Sequence, residues 1–177
     1  MTKTLILGGV KSGKSRLAEQ WAIATKRPVT YIATATANDA EMQRRIKHHQ
    51  QQRPQHWLVN ETPLHLASTL QRHDVSGQCL LVDCLTLWLT NLLLTDNKDI
   101  LKQEISALLT LLPEMKADII FVSNETNMGI VPVGELSRRY CDEIGLLHQR
   151  LATLVNNVIL TVAGLPHILK GQLYERL

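Results

Sequence analysis

The segment Gly8-Gly9-Val10-Lys11-Ser12-Gly13-Lys14-Ser15 constrains this chain more than any other. It follows a short apolar run, Thr4–Leu7, and precedes a helix-like stretch, Ser15–Thr25. That strand, turn and helix order is the setting a phosphate-binding loop requires. Gly8 and Gly13 are expected to open backbone conformations closed to other residues and to let amide N–H groups approach phosphate oxygens. The helix that follows presents its positive end to the same anion. In this reading Gly8, Gly9, Val10, Lys11, Ser12, Gly13, Lys14 and Ser15 bind a nucleoside triphosphate. Lys14 reaches the β and γ phosphates, and the Ser15 hydroxyl holds Mg²⁺. With glycine at about 7% of average usage, the four fixed positions coincide by accident in roughly one chain of this length per hundred.

A metal site of this kind needs a second acidic group, and Leu80-Leu81-Val82-Asp83 supplies one at the end of an apolar strand. Asp83 reads as a strand-end carboxylate for Mg²⁺, or as an ordinary cap on the helix that follows. The wider pattern agrees with the loop. Apolar runs at Thr4–Leu7, Val29–Ala33, Trp57–Val59, Leu80–Val82, Ile119–Val122 and Val158–Val162 are expected strands. Between them lie expected helices near 15–25, 39–51, 64–72, 85–94, 100–112 and 134–154. Such alternation implies the α/β class, a mainly parallel sheet with helices on both faces. No repeat or linker divides the chain, so residues 1–177 are expected to form a single P-loop nucleotide-binding domain.

Composition enters as a filter. The formal charge of +3, spread among acids, does not by itself indicate a nucleic-acid protein. Cys79, Cys84 and Cys141 lack paired metal-ligand spacing and read as reduced thiols of a cytoplasmic protein. The start of the chain has no signal-peptide architecture. The most apolar stretch, Cys79–Leu94, is interrupted by polar residues and falls short of the roughly 20 apolar residues of a membrane span.

One segment resists a purely structural reading. Asp39–His49 forms a helix-like pattern that ends in basic residues and the pair His48-His49, with Arg53 beyond. Cations suit a helix C-terminus, so the pair reads either as a solvated complement to the helix dipole or as the home of a nucleophile. A neutral imidazole can attack phosphorus, and nearby cations stabilise the leaving pyrophosphate. Zinc is rejected, because adjacent helical residues diverge and no further ligands stand at metal spacing.

Nearly end to end, the chain resembles the bifunctional adenosylcobinamide kinase/adenosylcobinamide-phosphate guanylyltransferase family of cobalamin biosynthesis. The resemblance rests on Leu5–Arg16, Tyr31–Ala35, Asp39–His49 with Arg53–Trp57, Asp83–Thr86 with Thr90–Leu93, Val122–Glu125, Met128–Pro132 and Asn156–Gly164. It implies a RecA-like P-loop NTPase fold and a homotrimer. It also implies phosphorylation of the aminopropanol hydroxyl of adenosylcobinamide by ATP or GTP, then transfer of GMP from GTP to adenosylcobinamide phosphate. In the family the first histidine of the pair carries GMP, and the matching residue is His48. Thr34, Ala35 and Thr36 match a segment that borders the nucleotide, and Gln51, Gln52, Arg53 and Pro54 match a nucleotide-contacting turn. Glu61 matches an acidic residue for guanosine recognition, where a carboxylate accepts from the guanine N1–H and amino group; by its own neighbours, Thr62-Pro63, it reads as a helix-start acid. The loop Asn124–Gly129 departs from the family at Thr126 and Asn127, where Val and Gly are expected. Asn127 is the replacement that best tolerates a left-handed backbone. Two rival functions are a simple small-molecule kinase without guanylyl transfer and a nucleotide-dependent switch that reports GTP to a protein partner.

Overall fold

The computed structural model describes residues 1–36, 44, 54–97 and 99–172. The expected helix 39–51, apart from residue 44, lies outside the described residues, and so do His48, Gln51, Gln52 and Arg53. The described chain builds one seven-stranded sheet. In chain order the elements are β1 (Lys3–Gly8), α1 (Lys14–Ala24), β2 (Val29–Ala33), β3 (Leu58–Glu61), α2 (Leu66–Arg72), β4 (Cys79–Asp83) and α3 (Leu85–Leu94). Then come α4 (Ile100–Leu111), a 3₁₀ turn at Leu112–Glu114, β5 (Asp118–Asn124), α5 (Glu135–Leu154), β6 (Asn157–Val162) and β7 (Leu165–Lys170).

The strand order is β3-β2-β4-β5-β1-β6-β7. All pairings are parallel except β6 with β7. The central strands are apolar at nearly every position because both of their faces are covered. Leu5, Leu80, Val82, Ile119 and Phe121 face a core built with α2 to α5. Ile6, Cys79, Leu81, Ile120 and Val122 face the other core, with Leu17, Ala18 and Trp21 of α1. Parallel strands place all their carboxyl ends on one side, and in open α/β sheets ligands bind outside those ends.

The seventh strand was not expected. β6 returns through a two-residue turn, Ala163-Gly164, in which both residues have positive φ, 51° and 80°. That is the backbone a tight antiparallel hairpin needs. β7 is mostly exposed and carries Pro166, which an edge strand tolerates.

Candidate active site

The sequence from Gly8 to Ser15 does form the loop between β1 and α1; Gly13 takes the backbone conformation expected of it, and Gly8 serves a different purpose. Gly13 has φ 95°, a left-handed conformation that disfavours a side chain, and Lys11 takes the other left-handed position at φ 55°. Gly8 is not left-handed; it is needed for space. A Cβ there would fall 2.6 Å from the Thr161 carbonyl and would overlap the Ser12 hydroxyl. A Cβ at Gly13 would meet Gly164 Cα at 3.2 Å. The Gly164 N–H also donates to the Ser12 carbonyl at 2.9 Å. The β6–β7 hairpin turn thus packs directly on the loop and fixes its path.

Lys14 begins α1 and is 9% exposed. Its Nζ donates to the Gly9 carbonyl at 3.0 Å, folding the chain around the ammonium. Burial lowers its pKa, and the neighbouring Cys84 and Asp83 act in the opposite direction. Cys84 is itself pushed up to about 12 by burial, so at neutral pH it is a thiol and Asp83 is the real counter-charge. A buried cation with so little compensation favours an anion in the loop. The first turn of α1 contains no acidic residue, so the helix itself leaves its positive end open to an anion.

Asp83 ends β4, and β5 lies between β4 and β1. Two strand spacings of about 4.8 Å bring it within reach of the loop. The Tyr31 hydroxyl donates to Asp83 Oδ2 at 3.0 Å and holds the carboxylate. Asp83 and Ser15 are both partly exposed. A hydroxyl and a carboxylate are hard oxygen donors, a set that suits Mg²⁺ with water and phosphate oxygens completing its shell. Among the described residues no three His, Cys, Asp or Glu side chains stand together as a closed metal site.

Thr34, Ala35 and Thr36 leave β2 at the same side of the sheet, and Glu61 ends the edge strand β3 beside them, with Ala33 and Glu61 in register. Glu61 therefore closes a strand rather than opening a helix; α2 begins only at Leu66. Thr34 is fully buried, its hydroxyl donating to the Cys84 carbonyl at 2.7 Å and accepting from the Cys84 N–H at 2.8 Å. Asn91 of α3 completes the framework. Its Nδ2 donates to the carbonyls of Thr34 at 2.8 Å and Pro63 at 3.1 Å, and its Oδ1 accepts from the Thr36 hydroxyl at 3.3 Å.

Not every expected residue joins this group. Pro54 precedes β3 and lines an open groove of about 780 Å³ with Ile23, Arg27, Pro28 and Trp57. That groove lies at the amino ends of β2 and β3, opposite the phosphate loop. Asn91 and Tyr31 were missed as site residues. The signal for Asn91 was a single amide within Leu-Thr-Leu-Trp-Leu-Thr-Asn-Leu-Leu-Leu, which in so apolar a helix must find partners.

The end of β5 holds a further polar group. The Glu125 N–H donates to the Gly8 carbonyl at 3.0 Å. Its Oε1 accepts from the Asn127 N–H at 2.8 Å, and Oε2 lies 3.7 Å from His148 Nδ1. His148 Nε2 is 2.8 Å from the Ser123 hydroxyl. Burial lowers the His148 pKa while Glu125 opposes this, which keeps the imidazole neutral near pH 7. Asn127 is not among the left-handed residues. Its side chain instead donates to the Cys141 carbonyl at 2.8 Å and abuts Gly145, tying the departing loop to α5.

Comparison with known proteins agrees with this geometry. The model of the family described as cobinamide kinase / cobinamide phosphate guanyltransferase matches residues 4–169. The chain is 58% identical to the bifunctional adenosylcobalamin biosynthesis protein CobP of Pseudomonas aeruginosa over 170 residues, covering 96% of this chain and 98% of that one. It is 36% identical to the bifunctional adenosylcobalamin biosynthesis protein CobU of Escherichia coli over 174 residues, 91% of this chain and 96% of that one. Among solved structures, a KaiC-like protein of Pyrococcus horikoshii OT3 aligns with TM-score 0.50 and 16% identity, over 90% of this chain and 70% of that one. Another protein of that organism aligns with TM-score 0.54 and 10% identity, over 98% and 88%. These distant likenesses bear on the fold alone, which is that of a P-loop NTPase. The loop, the strand order and the near full-length match lead to one conclusion: the chain belongs to the cobinamide kinase / cobinamide phosphate guanyltransferase family of transferases, enzymes of cobalamin biosynthesis.

Proposed function

We propose that this chain, as one domain, phosphorylates the aminopropanol hydroxyl of adenosylcobinamide with ATP or GTP. It then transfers GMP from GTP to that phosphate, giving adenosylcobinamide-GDP and pyrophosphate. The observation that carries the reading is the phosphate loop with its buried Lys14 in a chain that matches the bifunctional family over residues 4–169.

In the kinase step the loop amides, the end of α1 and Lys14 stabilise charge on the γ-phosphoryl group while the hydroxyl attacks it in line. Ser15 and Asp83 would hold Mg²⁺, which when bound neutralises phosphate charge. In the second step His48 attacks the α-phosphorus of GTP, and the loop and Lys14 bind the departing pyrophosphate. The phosphate of adenosylcobinamide phosphate then takes GMP from His48. Glu61 and the Thr34–Thr36 segment, on the strand ends farther from the loop, bind the guanosine end of the nucleotide, with Gln51, Gln52 and Arg53 as further contacts, whereas Pro54, in the groove at the opposite strand ends, is not among them. A homotrimer is part of the same reading. The strongly exposed apolar run Met128, Ile130, Val131 and Val133 supports burial in an assembly.

The reading is tested by incubating purified protein with adenosylcobinamide, GTP and Mg²⁺ and separating the corrinoid products. Adenosylcobinamide phosphate followed by adenosylcobinamide-GDP is expected, and His48→Ala should stop at the phosphate. No corrinoid product from the wild-type chain would overturn the reading, and a wild type that stops at the phosphate would leave a simple kinase.

A further inference from the structure

We propose that Glu125 is the general base of the kinase step, taking the proton from the corrinoid hydroxyl as its oxygen attacks the γ-phosphorus. This rests on the functional reading above. Three carboxylates stand at the carboxyl ends of the described parallel strands: Glu61, Asp83 and Glu125. Glu61 is on the edge strand, four strand positions from β1. At about 4.8 Å each, that is roughly 19 Å from the loop and beyond hydrogen-bond reach of a γ-phosphate acceptor. Asp83 is the carboxylate facing Lys14 and in the reading above would hold Mg²⁺, which leaves it unsuited to accept the proton.

Glu125 is left, and its placement suits the task. Its backbone is bonded to Gly8, so it stands immediately beside the loop, at the end of the strand that separates β1 from β4. The side chain is 16% exposed, open enough to meet an incoming hydroxyl and enclosed enough to be held in place. The Asn127 N–H fixes one oxygen, and the neutral His148 ring, itself bonded to Ser123, faces the other. Ser123, His148 and Glu125 have the composition of a hydrolytic triad, yet Ser123 is fully buried and reaches no substrate. In this chain the acid is the outward member, so the network orients a base rather than a nucleophile.

The step balances without an added reactant. The new bond joins the substrate oxygen to the γ-phosphorus, and the bond from that phosphorus to the β-γ bridging oxygen breaks. The nucleoside diphosphate leaves with that electron pair, and the substrate proton passes to the Glu125 carboxylate.

The two half-reactions provide the test, because both use the loop and only phosphorylation must deprotonate an alcohol. Glu125→Gln keeps an oxygen for the Asn127 N–H and removes the base. Phosphorylation of adenosylcobinamide should lose about 100-fold or more in kcat with KM little changed. Guanylyl transfer to supplied adenosylcobinamide phosphate should persist. Glu125→Ala should regain phosphorylation in added formate, which also decides the matter if the Gln variant folds poorly. Wild-type kcat in Glu125→Gln, equal loss of both half-reactions, or no formate rescue would overturn the proposal alone. Failure of the wild type to phosphorylate adenosylcobinamide would overturn the underlying reading and the proposal with it.

Discussion

The two ends of the nucleotide-facing side of the sheet are built by different means. At β1, the phosphate loop is shaped by backbone. Gly13 supplies a left-handed turn, Gly8 makes room for Ser12 and Thr161, and the Ala163-Gly164 hairpin presses on the loop from β6. At β2 and β3, the Thr34–Thr36 segment is shaped by side chains, through the reciprocal Thr34–Cys84 bonds and the reach of Asn91 from α3. A site for phosphate, which every nucleotide shares, can be fixed by main-chain geometry. A site for one base depends on side chains that a different sequence could replace.

Substitutions can break this contrast. Lys14→Ala removes the buried cation at the backbone-built end, and both half-reactions should fall by about 10²–10³-fold, as when one charge-stabilising donor is lost. Steady-state assays of phosphorylation and of guanylyl transfer measure it; loss of only one would separate the loop's two duties. Asn91→Ala strips the side-chain-built end, leaving the Thr34 and Pro63 carbonyls without their donor. It should destabilise the fold by about 1–3 kcal/mol in urea titration and raise KM for GTP more than it lowers kcat. Gly13→Ala should destabilise by about 1–2 kcal/mol, the strain of a left-handed alanine, and weaken ATP and GTP alike. A change in base preference from Gly13→Ala, or equal weakening of both nucleotides by Asn91→Ala, would erase the distinction.

The same contrast explains how much was legible in the sequence. β2 at Val29–Ala33 and α3 at Leu85–Leu94 follow the expected bounds, because apolar runs bounded by polar residues mark strands and helices covered on both faces. The phosphate loop was legible because glycine spacing encodes backbone shape. β7 was not, since Leu165–Lys170 is largely solvent-facing and interrupted by Pro166 and His167, so it lacks a periodic signal. The Asn127 departure looked like a backbone matter and is a side-chain one, which only the placement of Cys141 and Gly145 reveals. Glu61 was ambiguous because Thr62-Pro63 resembles a helix start, whereas strand pairing with Ala33 decides its place. Asn91 and Glu125 act across 57 and 117 residues of sequence, on Thr34 and Gly8, and no local pattern reports such partners.

The central claim is that one phosphate loop serves two reactions, the second through covalent GMP on His48. Incubating the protein with GTP labelled at the α or the γ phosphate, then denaturing it, tests this directly. Label from the α position should stay on the chain, stable to base and lost in acid as a phosphoramidate, be absent in His48→Ala, and form about 10²–10³-fold more slowly in Lys14→Ala. An unlabelled wild-type chain, or α label that persists in His48→Ala, would contradict the account.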